Sequence, residues 1–206
     1  ALLEVMEEGK ITVDGIIHEV PKPFIVIATQ NPIGSAGTQP LPESQLDRFM
    51  VRLKMGYPDA GDEVSMLMNR REAGGVSVVK SVIDEQTLLR LQADVEKVFL
   101  DEKIMNYIVR LASLTRKHPM IRLGLSPRAT LALASISRAC AFSRGREFVI
   151  PEDVQSVFSP AANHRMILKP RAKINKTTVS DILKEVLQQA GTVELENSRV
   201  VCNERR

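Results

Sequence analysis

Three polar residues, Asn31, Arg48 and Arg128, have types and settings that could do chemistry. Asn31 belongs to the polar group 29–31 that follows the apolar run 24–28, and this run predicts a buried strand. Ligands of open α/β sheets lie beyond the carboxyl ends of the strands. Arg48 closes a short predicted helix, and Arg128 lies in the first turn of another, where the helix dipole disfavours a cation. Each has a plainer interpretation, because Asn31-Pro32 could start a turn, Asp47-Arg48 could be a local ion pair and Arg128 could be a solvated surface residue.

An α/β arrangement in the first third of the chain would position the first two of these residues. The run 24–28 predicts a central strand, and the Asp-Gly pair at 14–15, between two apolar segments, predicts a β-hairpin before it. Residues 43–49 predict a short helix, and 50–55 alternates apolar with basic residues as a half-exposed strand does. Asp59 then caps a further helix.

Beyond Gly74-Gly75 the sequence becomes helical. Amphipathic stripes and N-terminal cap signals predict the starts of five helices, near Asp84, Asp101, Ser126, Pro151 and Val179. The fourth is predicted to extend to His164 and Arg165, whose charges suit the negative end of a helix. The segment 169–176 reads as a basic linker, and the end from about Glu194 as a frayed tail.

Composition limits the class of protein. Hydrophobic residues make up 44% of the chain, charged residues 26% and aromatic residues 4%, which is typical of a soluble globular protein with an aliphatic core. The net charge of +3 permits nucleic-acid binding without indicating it. Cys140 and Cys202 give no disulfide framework, His18 has no partner at metal-ligand spacing, and no segment resembles a signal peptide or a membrane span. We therefore expect a cytoplasmic protein without a metal site in this chain.

The first residues of the chain, and the lack of a phosphate-binding motif in it, suggest that it is part of a longer protein. The chain begins with ALLEVMEE at 1–8, already in a helical rhythm and without an initiator Met, so we expect it to be a piece of a longer protein. It contains no G-x-x-x-x-G-K-[ST] phosphate-binding loop and no apolar strand that ends in paired acids, since Glu7 and Glu8 follow a helix.

Six segments, in order along the chain, resemble motifs of the AAA+ ATPases, and their wording is similar to that of the MoxR subfamily. The likeness covers about residues 1–168. The segments resemble, in turn, the helix after the Walker B acids, the hairpin before sensor 1, sensor 1, the arginine-finger segment, sensor 2 and the lid helix that follows it: ALLEVMEE (1–8), VDG (13–15), IATQNP (27–32), LPESQLDRF (41–49), GLSPRAT (124–130) and VIPEDV (149–154).

This resemblance implies a fold that is α/β and then all-α. Residues 1–75 would be the end of a P-loop-type αβα AAA+ core with a pre-sensor β-hairpin, and 76–168 a helical lid domain. Residues 169–206 lie beyond this likeness, and their own sequence predicts a basic linker, one helix and a disordered tail. The members of this subfamily generally act as hexameric rings and as chaperone-like remodellers of protein clients, often with partners that carry a von Willebrand factor A domain.

The resemblance also implies a role for each candidate residue in ATP hydrolysis. Asn31 would orient the attacking water and sense the γ-phosphate, and Arg48 would be a finger that reaches the nucleotide of a neighbouring subunit. Arg128 would bridge the lid to the phosphates of its own or a neighbouring subunit, since an anion compensates a cation at a helix N-terminus. The cofactors would be ATP and Mg²⁺, with the Mg²⁺ ligands outside this chain.

Because the phosphate cradle is missing, we expect this chain by itself neither to bind nor to hydrolyse ATP appreciably. Two alternatives stay open. A DNA-directed AAA+ motor also uses a hairpin before sensor 1. The two basic residues of this hairpin, Lys10 and His18, are balanced in number by the acidic residues Asp14 and Glu19, which makes nucleic acid an unfavoured partner. The other is a non-catalytic helical interaction module, in which residues 84–190 do the binding and the basic tail contacts an acidic partner.

Overall fold

The structure is a computed structural model with four described stretches. They are residues 5–6, 9–30, 41–69 and 80–191. Within them no helix is long and apolar enough to cross a membrane.

A β-hairpin forms where the Asp-Gly pair predicts it. Strand β1 (Lys10–Val13) pairs antiparallel with β2 (Ile16–Glu19), in the register Lys10 opposite Glu19 and Val13 opposite Ile16. Asp14 and Gly15 have φ values of 51° and 79°, which is the conformation that a two-residue type I′ turn requires. The hairpin prediction is confirmed.

The predicted strands at 24–28 and 50–55 are absent from the structure. Both segments lie in described residues and have no regular secondary structure. Ile25 and Ile27, expected in a buried strand, are 62% and 87% exposed. The sheets found among the described residues are two-stranded and pair other segments, so neither predicted strand has a neighbour to complete its hydrogen bonds. An apolar run predicts that a segment favours burial, but it does not supply the partner strand.

Two helices follow in the α/β portion. Helix α1 (Glu43–Leu46) is shorter than predicted, because the chain turns at Asp47 and Arg48 rather than continuing to Phe49. Helix α2 (Ala60–Asn69) begins as predicted, with the Asp59 carboxylate accepting a hydrogen bond from the amide of Asp62 at 2.8 Å. The predicted stop at Gly74-Gly75 and the boundary at 75/76 lie outside the described residues.

The helical portion contains the five predicted helices. They are α3 (Glu85–Lys97), α4 (Glu102–Lys117), α5 (Pro127–Ser143), α6 (Pro151–Ala162) and, after one further short helix, α8 (Val179–Ala190). The side chains of Asp84, Asp101 and Ser126, at the predicted helix starts, each accept a hydrogen bond from a backbone amide in the first turn. Thr178, which was not predicted as a cap, does the same for α8. Local sequence therefore fixes where these helices begin.

Three features of this portion differ from the predictions. Helix α6 ends at Ala162, so His164 and Arg165 lie beyond it rather than in its last turn. The segment predicted as a linker contains the short helix α7 (Pro170–Ile174). A small antiparallel sheet of β3 (Ile121–Leu123) and β4 (Ile167–Leu168) was not predicted, because two- and three-residue strands carry no periodicity signal.

One apolar core joins these helices. Its fully buried side chains come from α4, α5, α6 and α8, including Ile104, Leu111, Leu133, Phe158 and Ile182. Since α8 buries Ile182, Leu183 and Val186 in this cluster, the core of the predicted lid (76–168) continues past residue 168.

A buried carboxylate holds the start of α6. Asp153 is completely buried, and its oxygens accept hydrogen bonds from Arg144, from Arg146 and from the backbone amide of Ile150 at 3.0 Å. Burial raises the pKa of Asp153, but the hydrogen bonds from Arg146 and Ile150 outweigh it and hold this pKa below its usual range. The loop 144–150 is thereby tied to the first turn of α6.

Candidate functional site

The segment that follows α1 is docked on the helical portion through one carboxylate. Asp47 accepts hydrogen bonds from the Ser126 hydroxyl at 2.8 Å and 3.1 Å, one to each of its oxygens. Its Oδ1 also forms an ion pair with Arg165 Nε at 3.0 Å. We call Asp47, Ser126 and Arg165 the Asp47 junction. It joins the residue before Arg48 to the residue that caps the helix of Arg128.

Arg165 lies at the centre of this junction. Its side chain is 2% exposed, and its guanidinium donates to the backbone carbonyls of Phe49 at 2.7 Å, Asp47 at 3.2 Å and Met50 at 3.3 Å. The same guanidinium donates to the carbonyl of Ala161 in α6. A planar fork with five donors can satisfy several carbonyls at once, which an ammonium group cannot do in this geometry.

His164 adds a second contact to the same backbone. Its Nε2 lies 2.9 Å from the carbonyl oxygen of Phe49. A carbonyl only accepts, so this contact requires the tautomer with the proton on Nε2. Burial lowers the pKa of His164, and the charge of Arg165 adds to this effect, while the hydrogen bond to Phe49 opposes it. The ring is therefore held neutral at its place beneath the segment 47–50.

The loop that carries Ser126 is fixed to helix α4. The amide of Leu125 donates to the Thr115 hydroxyl at 3.0 Å, and its carbonyl accepts from Arg116 Nε at 2.7 Å. A Cβ added at Gly124 would lie 2.7 Å from the Arg116 backbone, so this approach requires a residue without a side chain. Ser126 then caps α5 by accepting from the amide of Ala129 at 3.1 Å.

Arg128 and Arg165 place two positive charges near Asp47 at the junction. Burial lowers the pKa of Arg165, the Asp47 carboxylate opposes that shift, and the charge of Arg128 lowers it further. The positive charges of Arg128 and Arg165 thus act on one another, and Asp47 supplies one compensating negative charge. Arg128 is exposed and Arg48 half-buried, so an anion approaching the start of α5 would meet a cation there.

In the structure, the residues next to two of the three predicted site residues are in contact with each other. Arg48 and Arg128 lie next to the two ends of the Asp47–Ser126 contact, whereas Asn31 lies outside the described residues. Sequence reasoning missed Asp47 and Arg165 as residues of this site, and it assigned His164 and Arg165 to a helix end. The signal that was available is the adjacency of Asp47 to Arg48. Among the described residues, no three His, Cys, Asp or Glu side chains cluster as the ligands of a metal ion could.

Two family sequence profiles match this chain, one at its start and one in its helical portion. The sequence profile described as "AAA lid domain" matches residues 113–186, and the one described as "ATPase family associated with various cellular activities (AAA)" matches residues 1–51. The uncharacterized protein YeaC of Bacillus subtilis is 41% identical over 187 residues, which are 91% of this chain and 58% of YeaC. The chaperone MoxR1 of Mycobacterium tuberculosis is 35% identical over 199 residues, 91% of this chain and 52% of MoxR1. The chain is a MoxR-family AAA+ homologue.

A solved structure extends the likeness of this MoxR-family homologue to the fold. A candidate ATPase from Cytophaga hutchinsonii, solved by crystallography at 2.00 Å, has a TM-score of 0.86 and 30% identity, covering 94% of this chain and 61% of its own. The predicted fold class, an AAA+ core end followed by a helical lid, is confirmed. The ATPase match at 1–51 followed by the lid match fits the carboxyl-terminal portion of such a protein. This chain spans about half to three fifths of the length of these relatives.

Proposed function

We propose that this chain supplies sensor 1, the arginine finger, sensor 2 and the lid of an ATPase that uses hydrolysis for chaperone-like remodelling of partner proteins. The observation that carries the proposal is the docking of the Arg48 segment onto the start of the Arg128 helix through Asp47 and Ser126. Two candidate phosphate-binding arginines, 80 positions apart in the chain, thereby flank one fixed contact.

The chemistry of this proposal is charge stabilisation and positioning. ATP hydrolysis spreads negative charge over the γ-phosphate oxygens, and an arginine placed there is worth roughly 10³–10⁵ in rate. Arg48 acts on the nucleotide of a neighbouring subunit, Arg128 contacts the phosphates from the lid, and Asn31 orients the attacking water. The guanidinium of Arg128, exposed in the first turn of α5, fits the phosphates of ATP. The Mg²⁺ ligands come from a part of the ATPase outside this chain.

The assembly follows from the role of Arg48. A finger that serves a neighbour requires an oligomer, and we propose a hexameric ring that works in the cytoplasm on protein clients or with von Willebrand factor A domain partners. Protein clients are favoured over DNA because Lys10, a basic residue of the hairpin, forms an ion pair with Glu19 at 3.5 Å. The hairpin also exposes apolar side chains, Val13, Ile16 and Ile17.

Arginine substitutions in the full-length ATPase that contains this chain test the proposal. Arg48→Ala and Arg128→Ala should each lower kcat by at least about 100-fold with the fold intact, because each removes charge stabilisation of the transition state. Arg90→Ala is the matched control, since Arg90 is exposed on α3 and contacts Thr87 of its own helix. Wild-type hydrolysis in both variants would refute the assignment and favour a non-catalytic helical module.

The chain without the phosphate cradle offers an independent test. Calorimetric titration of these 206 residues with Mg-ATP should give no binding in the micromolar range, because two arginines without a phosphate-binding loop bind a nucleotide weakly. Micromolar binding would contradict the division of the site that we propose.

A further inference from the structure

We propose that the Asp47 junction is a positioning device that makes the lid and the arginine-finger segment move as one unit. In this proposal Ser126 and Arg165 of the lid set the position of Arg48, so a lid that shifts around its nucleotide also shifts the finger offered to the neighbouring subunit. The proposal rests on the proposed function, because it assigns Arg48 and Arg128 to nucleotide phosphates.

The contacts hold the backbone on both sides of Arg48. Before it, the Asp47 carboxylate and carbonyl are held by Ser126 and Arg165. After it, the carbonyl of Phe49 accepts from Arg165 at 2.7 Å and lies 2.9 Å from His164 Nε2. A residue whose two peptide neighbours are both fixed to one body has little freedom to move independently of that body.

The lid end of the junction is equally fixed. Ser126 caps α5, the preceding Leu125 is hydrogen-bonded to Thr115 and Arg116 of α4, and Arg165 contacts the end of α6 through the Ala161 carbonyl. Three lid helices therefore meet at the Asp47 contact. Any rotation of the lid that preserves its apolar core carries the junction with it.

A further hydrogen bond connects the segment 47–52 to helix α6. The amide of Arg52 donates to the carbonyl of Pro160 at 3.0 Å. Since Arg52 lies five residues beyond Asp47, its amide reports whether the whole segment is docked. Its hydrogen exchange can be measured without any nucleotide, and it separates docking from catalysis.

The ion pair between Asp47 and Arg165, whose side chains are 24% and 2% exposed, favours a role in positioning over a role in stability alone. A buried ion pair is often no more stable than a well-packed apolar pair of the same volume, because both charges lose their hydration. The ion pair does, however, require a specific geometry, because the planar Arg165 guanidinium donates to one carboxylate and to several carbonyls in fixed directions. Such a set specifies one orientation of the segment relative to the lid.

The test uses two substitutions of Ser126 that both keep the helix cap. Asn and Asp are as good N-caps as Ser, so α5 should form in Ser126→Asn and in Ser126→Asp. Asn can still donate to the Asp47 carboxylate, whereas Asp places a second carboxylate against it and repels it. The pair therefore differs in the junction and not in the cap.

Hydrogen exchange of this 206-residue chain is the first readout. In Ser126→Asp the Arg52 amide should exchange at least about tenfold faster than in the wild type, while amides in the middle of α4 stay within about twofold. Ser126→Asn should resemble the wild type. If the Arg52 amide exchanges at the same rate in Ser126→Asp as in Ser126→Asn, the junction is not the docking contact. If amides throughout α4 lose protection, Ser126→Asp has unfolded the chain, and Arg165→Lys is then measured in its place.

Steady-state hydrolysis by the full-length ATPase is the second readout. Ser126→Asp should lower kcat by about 10- to 100-fold, the cost of an arginine displaced by about 1 Å, with KM for ATP changed by less than about threefold. Adding Asp47→Asn to Ser126→Asp removes the repulsion and should restore at least about fivefold of the lost kcat. A merely structural role for Ser126 predicts no such rescue.

The Arg48→Ala variant separates failure of this inference from failure of the proposed function. If Arg48→Ala is inactive while Ser126→Asp and Ser126→Asn both hydrolyse ATP as the wild type does, the junction has no positioning role and the finger assignment holds. If Arg48→Ala keeps wild-type kcat, the proposed function itself is wrong.

Discussion

Replacing Asp153 with Asn should destabilise the chain by about 3 kcal/mol. The substitution keeps the volume of the side chain, so no cavity forms, but it replaces a carboxylate oxygen by an NH₂ donor. One oxygen accepts from Arg146 and Ile150, and the other from Arg144 and Arg146, so in either orientation the new donor faces two others. The polar network cannot be satisfied.

The magnitude follows from burial. Removing one partner of a fully buried ion pair costs about 3–5 kcal/mol. The Arg144 and Arg146 side chains are 48% and 22% exposed and can turn partly towards water, which lowers this cost. Weakening the contact to the Ile150 amide adds about 1 kcal/mol, the usual value of an N-cap interaction. The sum is about 3 kcal/mol, equivalent to a Tm lower by roughly 6–12 °C for a chain of this size.

Urea unfolding followed by circular dichroism measures this change, with Asp94→Asn as the control. Asp94 forms an exposed pair with Lys97 within α3, so its substitution should cost less than about 0.5 kcal/mol. The pKa of Asp153 is depressed in the folded state, so its contribution is complete above the unfolded value of about 3.9 and is lost as the pH falls. The wild type should therefore lose more stability than Asp153→Asn below about pH 4. A loss under about 1 kcal/mol at pH 7 would refute the reasoning.

Two further predictions concern the lid end of the site. Gly124→Ala should destabilise the chain by about 2 kcal/mol, because its Cβ would lie 2.7 Å from the backbone of Arg116; Gly56→Ala, with no atom within 4 Å of the added Cβ, should be nearly neutral in the same urea assay. The pKa of His164 is depressed in the folded state, so the stability from its neutral form is complete above the unfolded value of about 6.5 and falls by up to about 1.4 kcal/mol per pH unit below it. His164→Gln, which can still donate to Phe49, should flatten the dependence of the urea midpoint on pH between 7 and 5, and an unchanged slope would contradict the assignment.

Local signals made much of the fold predictable. The Asp14-Gly15 turn, the caps at Asp84, Asp101 and Ser126, and Pro151 at a helix start each act within four residues, and each appears in the structure as expected. The strands at 24–28 and 50–55 failed for the opposite reason. A strand depends on hydrogen bonds to another segment, and the sequence of the strand does not contain that segment.

Some residues of the candidate site were likewise predictable from local sequence, and others were not. Arg48 and Arg128 were predicted from motif resemblance and from the misfit of a cation in the first turn of a helix. The sequence predicts Arg165 at a helix end, because a cation in the last turn is stabilised by the negative end of the helix dipole and needs no distant partner. Its contacts with Asp47 and Phe49 span more than 110 positions, which no local pattern encodes.

The sequence by itself determined the family, the order of the motifs and the ends of the helices, because these depend on residue types at short spacing. Only the tertiary structure decided that Asp47, Ser126 and Arg165 meet, that His164 is buried and neutral, and that α8 shares the lid core. The physical reason is the range of the interactions: caps and turns are completed by neighbours in the chain, whereas a buried carboxylate and guanidinium are satisfied by whichever segments folding brings to them.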